Sequence, residues 1–180
     1  MNDASGPTEP VKSNEYTEGR ALDTLRGPSA GTAGAAPAVE DDFQQVFQTV
    51  LTIRWGDMDA YGHVNNAMYF VYMDQVRILW LESLGLQPPE GQGPAVVHAF
   101  MNYRRQLIYP ADIVCTLKAR PPGRSSMETR FEVRRQDQAD LPEHIVAQGG
   151  ATVVWTNYKA GRSVALPDAL RARLPMAAAS

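Results

Sequence analysis

Between Asn66 and Leu84 the chain carries a helical period that is apolar on nearly every side, and few architectures accommodate such a segment. Tyr69, Met73, Val76, Trp80 and Leu84 follow i, i+4, i+7, i+11, i+15 spacing and make one unbroken face. Phe70, Val71, Tyr72, Ile78, Leu79 and Leu81 add apolar surface on other sides, and Asp74, Gln75, Arg77 and Glu82 interrupt it sparsely. A helix of this kind is expected to be largely enclosed. Asn65 or Asn66 can cap its start and Gly85 its end.

The enclosing material has a period of two. Phe47, Thr49, Leu51, Ile53 and Trp55 share one mostly apolar face ahead of the helix, which reads as a first strand ending at Trp55. Gln87 to Pro94 is loop chemistry. After it, residues 95–105 set Ala95, Val97, Ala99, Met101 and Tyr103 against Val96, His98, Phe100, Asn102 and Arg104. Ile113, Cys115, Leu117 and Ala119 oppose Val114, Thr116, Lys118 and Arg120. Met127, Thr129, Phe131 and Val133 oppose Glu128, Arg130, Glu132 and Arg134, the pattern of a strand with one wet face. Ile145 to Thr156 is the last long strand, and Gly149-Gly150 within it predicts a bulge or a close backbone approach. Pro121 to Arg124 and Asp137 to Pro142 supply turns, and one helical turn is expected between Pro167 and Leu174.

The order is strand, long helix, four strands. Short links make strands two to five antiparallel neighbours. The expected class is α+β: a five-stranded antiparallel sheet wrapped around one long central helix. An ordered domain should occupy 43–160, followed by a short C-terminal tail at 161–180. Residues 1–42 are expected to be a disordered tail, because a Gly-, Pro-, Ala- and acid-rich segment with Tyr16 as its sole aromatic buries too little apolar area to offset chain entropy.

Charge and cysteine content exclude several functions. The net charge of −3 resides in residues 1–40, with three basic against six acidic side chains, and the remainder is neutral. That balance offers no footprint for nucleic acid. Cys115 is the single cysteine, so no intrachain disulfide or Cys-based metal cage can form. The three histidines lack metal-ligand spacing, and no metal or cofactor is expected. With no bilayer-length apolar run and no basic-then-apolar leader, a cytoplasmic address is expected and a membrane partner is not.

Chemistry concentrates where the first strand hands over to the helix. Asp57, Asp59, His63, Asn65 and Asn66 cluster there, ahead of a helix N-terminus whose unpaired N–H groups and dipole favour negative charge. Both aspartates have a plain role as turn formers. A carboxylate at that place also suits attack on, or general-base catalysis toward, a carbonyl carbon whose oxygen the helix-terminal N–H groups polarise. His63 can orient substrate or water, or simply bond within the turn. One of the two asparagines caps the helix and frees the other to face the site. Ser125 and Ser126 do not lie in a G-x-S-x-G elbow, and no dinucleotide or P-loop glycine motif occurs.

The run Gly56-Asp-Met-Asp-Ala-Tyr-Gly-His-Val-Asn-Asn-Ala-Met-Tyr69, followed by a helix and four strands, resembles the hotdog-fold thioesterases of the 4-hydroxybenzoyl-CoA thioesterase type. The resemblance spans roughly Phe47 to Asn157. It implies an acyl-CoA thioesterase in which Asp59 is the catalytic carboxylate, Asp57 shapes the turn, and backbone N–H groups from about His63 to Asn66 polarise the thioester carbonyl. His63 and Asn66 are the further catalytic candidates. Tol-Pal-associated relatives carry a histidine where this chain has Asn66, and plant acyl-ACP thioesterases an asparagine where it has Tyr61. Tyr61, Gly62, Val64 and Tyr69 are implied to contact substrate, and Arg124, Ser125 and Ser126 to lie near CoA phosphates. A homodimer or homotetramer with the acyl site between subunits is implied as well. Related readings are a hotdog enoyl-thioester hydratase or dehydratase and a non-catalytic acyl-thioester-binding protein.

Overall fold

A computed structural model describes residues 42–86, 90–141 and 144–176. The segment expected to be a disordered tail lies, up to residue 41, outside the described residues, as do residues 87–89 of the expected loop and 142–143 near the expected turn.

The elements run β1 (Gln44–Thr52), α1 (Asn66–Ser83), β2 (Gln92–Tyr103), β3 (Asp112–Ala119), β4 (Ser126–Arg135), β5 (Ile145–Asn157), β6 (Arg162–Ser163) and α2 (Asp168–Arg171). All pairings are antiparallel, in the order β1-β3-β4-β5-β2, with the two-residue β6 pairing onto β5. The sheet curls against α1, which is the hotdog arrangement.

The neighbour relation drawn from short links holds for β3, β4 and β5 and fails for β2. That strand lies beside β5 at the sheet edge, with Tyr103 opposite Ala147 and Pro94 opposite Trp155. The link 104–111 carries the chain across the sheet end to β3, pinned by Arg104 and Arg105 N–H groups on the Val146 carbonyl and by Ile53 N–H on Ala111 O. A bulge at Val97 separates the pairs Val96–Val153 and His98–Thr152. The bulge reverses the in–out alternation, so the single face expected from Ala95 to Tyr103 changes phase at its middle.

Strands β3 and β4 follow their patterns. Ile113, Cys115, Leu117 and Ala119, with Met127, Thr129, Phe131 and Val133, are buried, and Lys118–Glu132 and Arg134–Glu132 ion pairs lie on the opposite face. The register runs unbroken through Gly149 and Gly150, so the glycines mark close approach and no bulge. A Cβ on Gly149 would stand 2.3 Å from the Phe100 carbonyl oxygen, and one on Gly150 2.6 Å from that of Thr129.

Helix α1 buries Tyr69, Tyr72, Met73, Val76 and Trp80 against the sheet. Each such side chain removed from water contributes on the order of 1.5–3 kcal/mol. The enclosure expected of this helix is one-sided: Phe70, Val71 and Ile78 remain 37–47% exposed. One curled sheet reaches only one side of a helix. Asn65 is the cap, its side chain accepting the Ala67 N–H at 2.9 Å, and Gly85 ends the helix with φ +66°.

Two further expectations shift. Strand β1 stops at Thr52, and Trp55 opens a 3-10 turn (Trp55–Asp57) with its side chain 79% exposed, while Phe47, Thr49, Leu51 and Ile53 keep the inward phase. The cause is Asp57, whose carboxylate folds the backbone back onto the Arg54 N–H. Beyond Asn157 the chain adds β6 and the expected helical turn, α2, and Leu166, Leu170 and Leu174 join the core.

Candidate active site

The segment between β1 and α1 folds as a small hairpin. Met58 and Val64 form an antiparallel bridge, the Asp59 N–H donates to His63 O at 2.7 Å, and the Asn65 N–H donates to Asp57 O at 2.9 Å. Gly62, at φ +79°, turns the tip, a conformation that other residues adopt only at a cost. The Val64 N–H donates to Leu107 O at 2.8 Å, which ties the hairpin to the link leaving β2.

The two aspartates are used differently. Asp57 is 2% exposed. Its carboxylate accepts from the Arg54 N–H (2.8 Å), Arg54 Nε (3.0 Å) and the Tyr72 hydroxyl (2.8 Å), and Arg54 Nη2 lies 2.8 Å away. Burial acts to raise its pKa, but the bonds from Arg54 and Tyr72 outweigh it and hold the group below the usual carboxylate range. Burial first, and the Asp57 carboxylate second, raise the Tyr72 phenol well above its ordinary value. Asp57 thus carries its charge at neutral pH with both carboxylate oxygens engaged.

Asp59 is half-buried. Its Oδ1 accepts the Tyr61 N–H at 2.8 Å and the His63 N–H at 3.3 Å, and no described group bonds Oδ2. One oxygen therefore fixes the rotamer and the other is open to a reactant.

The same bonds decide which helix-start amides are available. Of the four from His63 to Asn66, that of His63 is held by Asp59, that of Val64 by Leu107 and that of Asn65 by Asp57. The Asn66 N–H alone has no acceptor among the described residues. Asn65 supplies the cap, so the Asn66 side chain is free of that duty and exposed.

Tyr61, Gly62 and Val64 belong to the hairpin, and Tyr69 lies one turn into α1 with its ring 5.2 Å from that of Tyr103. The Tyr103 hydroxyl donates to Asn66 O at 2.9 Å. Tyr72, Tyr103 and Leu107 were not legible as site residues. Tyr72 reads first as helix core, with lining a pocket as its other possible role, and nothing in the sequence signals its bond to Asp57; the other two depend on β2 crossing to the far edge. Arg124, Ser125 and Ser126 are not brought to the motif within one chain. They lie at the Ala119 end of β3, whereas the hairpin lies at its Asp112 end, a strand length of roughly 25 Å away. The Arg124 carbonyl holds the C-terminal segment, accepting from Leu166 N–H and Arg171 Nη2, while the Ser125 carbonyl accepts from Trp155 N–H of β5.

His98 stacks near Phe100, with ring centroids 6.0 Å apart, and His144 Nδ1 lies 3.1 Å from Gln138 Oε1, both away from the motif. Surface clefts of about 460 and 360 Å³, one beside Trp80 and Leu174 and one over Arg130 and Gly149, include no motif residue. Among the described residues no three His, Cys, Asp or Glu side chains converge on a metal position, and no helix is long and apolar enough to cross a membrane.

A family model described as the thioesterase-like superfamily matches residues 53–174, from the end of β1 to the end of the C-terminal segment. The chain belongs to that superfamily. Among solved structures it is similar to PA2801, a candidate thioesterase of Pseudomonas aeruginosa, at 34% identity and TM-score 0.66, covering 72% of this chain and 98% of that one. It shares its fold with a 1,4-dihydroxy-2-naphthoyl-CoA thioesterase of Synechocystis (14% identity, TM-score 0.64, 71% and 94% covered). A DHNA-CoA thioesterase of Staphylococcus aureus is similar in fold as well (15%, 0.59, 66% and 79%). The hotdog thioesterase resemblance drawn from the motif is borne out at the level of the superfamily.

Proposed function

We propose that this chain hydrolyses an acyl-CoA thioester to the free acid and CoA, with Asp59 as the acting carboxylate. The observation that carries the reading is the division of labour at Asp59: Oδ1 is fixed by two backbone amides and Oδ2 is unengaged, beside a helix start with one open N–H. Superfamily membership supports it, as do the CoA-thioester substrates named for the Synechocystis and Staphylococcus proteins.

In the general-base form, Asp59 Oδ2 takes a proton from water as the hydroxyl attacks the thioester carbon. The Asn66 N–H meets the developing oxyanion, the C–S bond breaks, and the CoA thiolate leaves and is protonated. In the nucleophilic form, Oδ2 itself attacks the thioester carbon, the C–S bond breaks with departure of the CoA thiolate, and water later hydrolyses the resulting anhydride to release the acid and regenerate the Asp59 carboxylate. An oriented donor of this type is worth roughly a hundred- to a thousandfold. His63 orients water or substrate, the Asn66 side chain faces the same opening, and Tyr61, Gly62, Val64 and Tyr69 contact the acyl group.

Arg124, Ser125 and Ser126 enter this reading through a second copy. Strand β2 presents an unpaired edge with Val96 and Val97 exposed, and α1 leaves Phe70, Val71 and Ile78 exposed as well. Two-fold antiparallel pairing of β2 would bring the Arg124 end of one copy toward the Asp59 end of the other, as a homodimer or within a homotetramer.

The test is thiol release from a panel of acyl-CoAs by wild type and Asp59→Asn, with light scattering for the assembly. Full activity in the variant sinks the assignment of Asp59. Enoyl-CoA giving 3-hydroxyacyl product without thiol would make the protein a hydratase, and saturable binding without turnover an acyl-binding protein.

A further inference from the structure

We infer that Tyr72 is a positioning residue for the reaction, acting through Asp57 on the placement of Asp59. This deepens the thioesterase reading and rests on it for its kinetic arm. Tyr72 lies in the second turn of α1, 3% exposed, and its hydroxyl donates to Asp57 Oδ2 across 15 residues of chain. No other bond in the network joins the Asp57 carboxylate to the helix, since the remaining donors all come from Arg54, on the same 3-10 turn.

Asp57 is also the root of the hairpin. Its carbonyl receives the Asn65 N–H at the helix cap, and two residues on, the Asp59 N–H closes on His63 O. The carboxylate that anchors the root and the carboxylate at the open oxygen therefore sit on one short rigid segment. With the hydroxyl in place, the hairpin is registered against the helix whose first amide, that of Asn66, faces the reacting carbonyl. Without it, the segment loses its side-chain tie to the helix: the bonds within the hairpin, those from the Tyr61 and His63 amides to Asp59 among them, open more often, and Asp59 can shift relative to the Asn66 amide. Asp59 Oδ2 and the Asn66 N–H must address two atoms of one carbonyl group, so a displacement of about 1 Å between them can cost up to a hundredfold in rate.

The inference predicts a kcat effect with binding preserved. Tyr72→Phe keeps the ring and its packing and removes one oxygen. On the full-length protein it should lower kcat at least about tenfold with KM within twofold, while Leu170→Ala, a core variant far from the hairpin, loses thermal stability without that loss of kcat. Asp57→Asn should act in the same direction. If Asp57→Asn does not fold, Tyr72→Phe alone decides. Hydrogen exchange supplies an arm independent of activity: the Tyr61 and His63 amides, which donate to Asp59, should exchange at least fivefold faster in Tyr72→Phe and at the wild-type rate in Leu170→Ala. Wild-type kcat in Tyr72→Phe overturns the inference even if thiol release proves the enzyme reading. If the wild type releases no thiol from any acyl-CoA, the enzyme reading fails, and unchanged Tyr61 and His63 exchange would then overturn the positioning role while faster exchange would support it.

Discussion

The Tyr103 hydroxyl donates to the carbonyl of Asn66 at 2.9 Å, joining the last residue of the edge strand β2 to the first residue of the central helix. The residues are 37 apart in sequence. The bond holds the helix start, whose Asn66 N–H has no acceptor among the described residues, to the rim of the sheet. Tyr103→Phe should lower stability by only about 0.5–1.5 kcal/mol, the usual value of one such bond at a partly solvated position. Its effect on thiol release should be proportionally larger, and urea unfolding beside steady-state kinetics checks both. Unchanged kcat would show that the helix start needs no support from β2.

Asp59→Asn retains a side-chain oxygen able to accept the Tyr61 and His63 amides. Its melting temperature should therefore stay within a degree or two of wild type. Activity should fall by at least about a hundredfold, because an amide neither attacks nor takes a proton. Calorimetry and a thiol-release assay on one preparation separate chemistry from folding.

Asp57 gives an acid signature. Its folded pKa is depressed, so its stabilising effect is fully present above the unfolded value near about 3.9 and is lost as pH falls through the lower folded value. Urea midpoints of wild type and Asp57→Asn should differ most at neutral pH and converge below about pH 4. Glu132, where the bonds from Lys118 and Arg134 outweigh burial, also has a lowered pKa and leaves the same acid slope in both proteins. A gap that persists to the lowest pH would mean that the Asp57 charge contributes nothing.

Gly149 tests the close approach of β2 to β5. Gly149→Ala forces a Cβ against the Phe100 carbonyl, a backbone atom that cannot rotate away, and should cost roughly 1–3 kcal/mol or more. Gly56→Ala places its Cβ in open space and should stay within about 0.5 kcal/mol of wild type. Equal melting temperatures for the two variants would contradict the packing.

Legibility followed the range of the interactions. The α1 period, the β3 and β4 faces and the glycine pair were readable because each depends on residues a few positions apart. The aspartate motif was readable because its chemistry is contiguous. Trp55 was misplaced by a local bond, the one between the Asp57 carboxylate and the Arg54 N–H, that alternation does not register. The β2 phase was misplaced by its bulge, and the β2 neighbour by a link crossing the sheet end.

By itself the sequence determined that one long apolar helix must be covered by antiparallel strands, and that the charge at its N-terminus sits in a turn. Those follow from periodicity and capping, which act within a few residues. Tertiary structure alone decided that Asp57 is sealed by Tyr72 and Arg54 while Asp59 keeps an open oxygen. It also left the Asn66 N–H, of the four at the helix start, without an acceptor among the described residues. Two carboxylates two residues apart are alike in a sequence; their difference arises from which donors the folded chain brings within 3 Å of each.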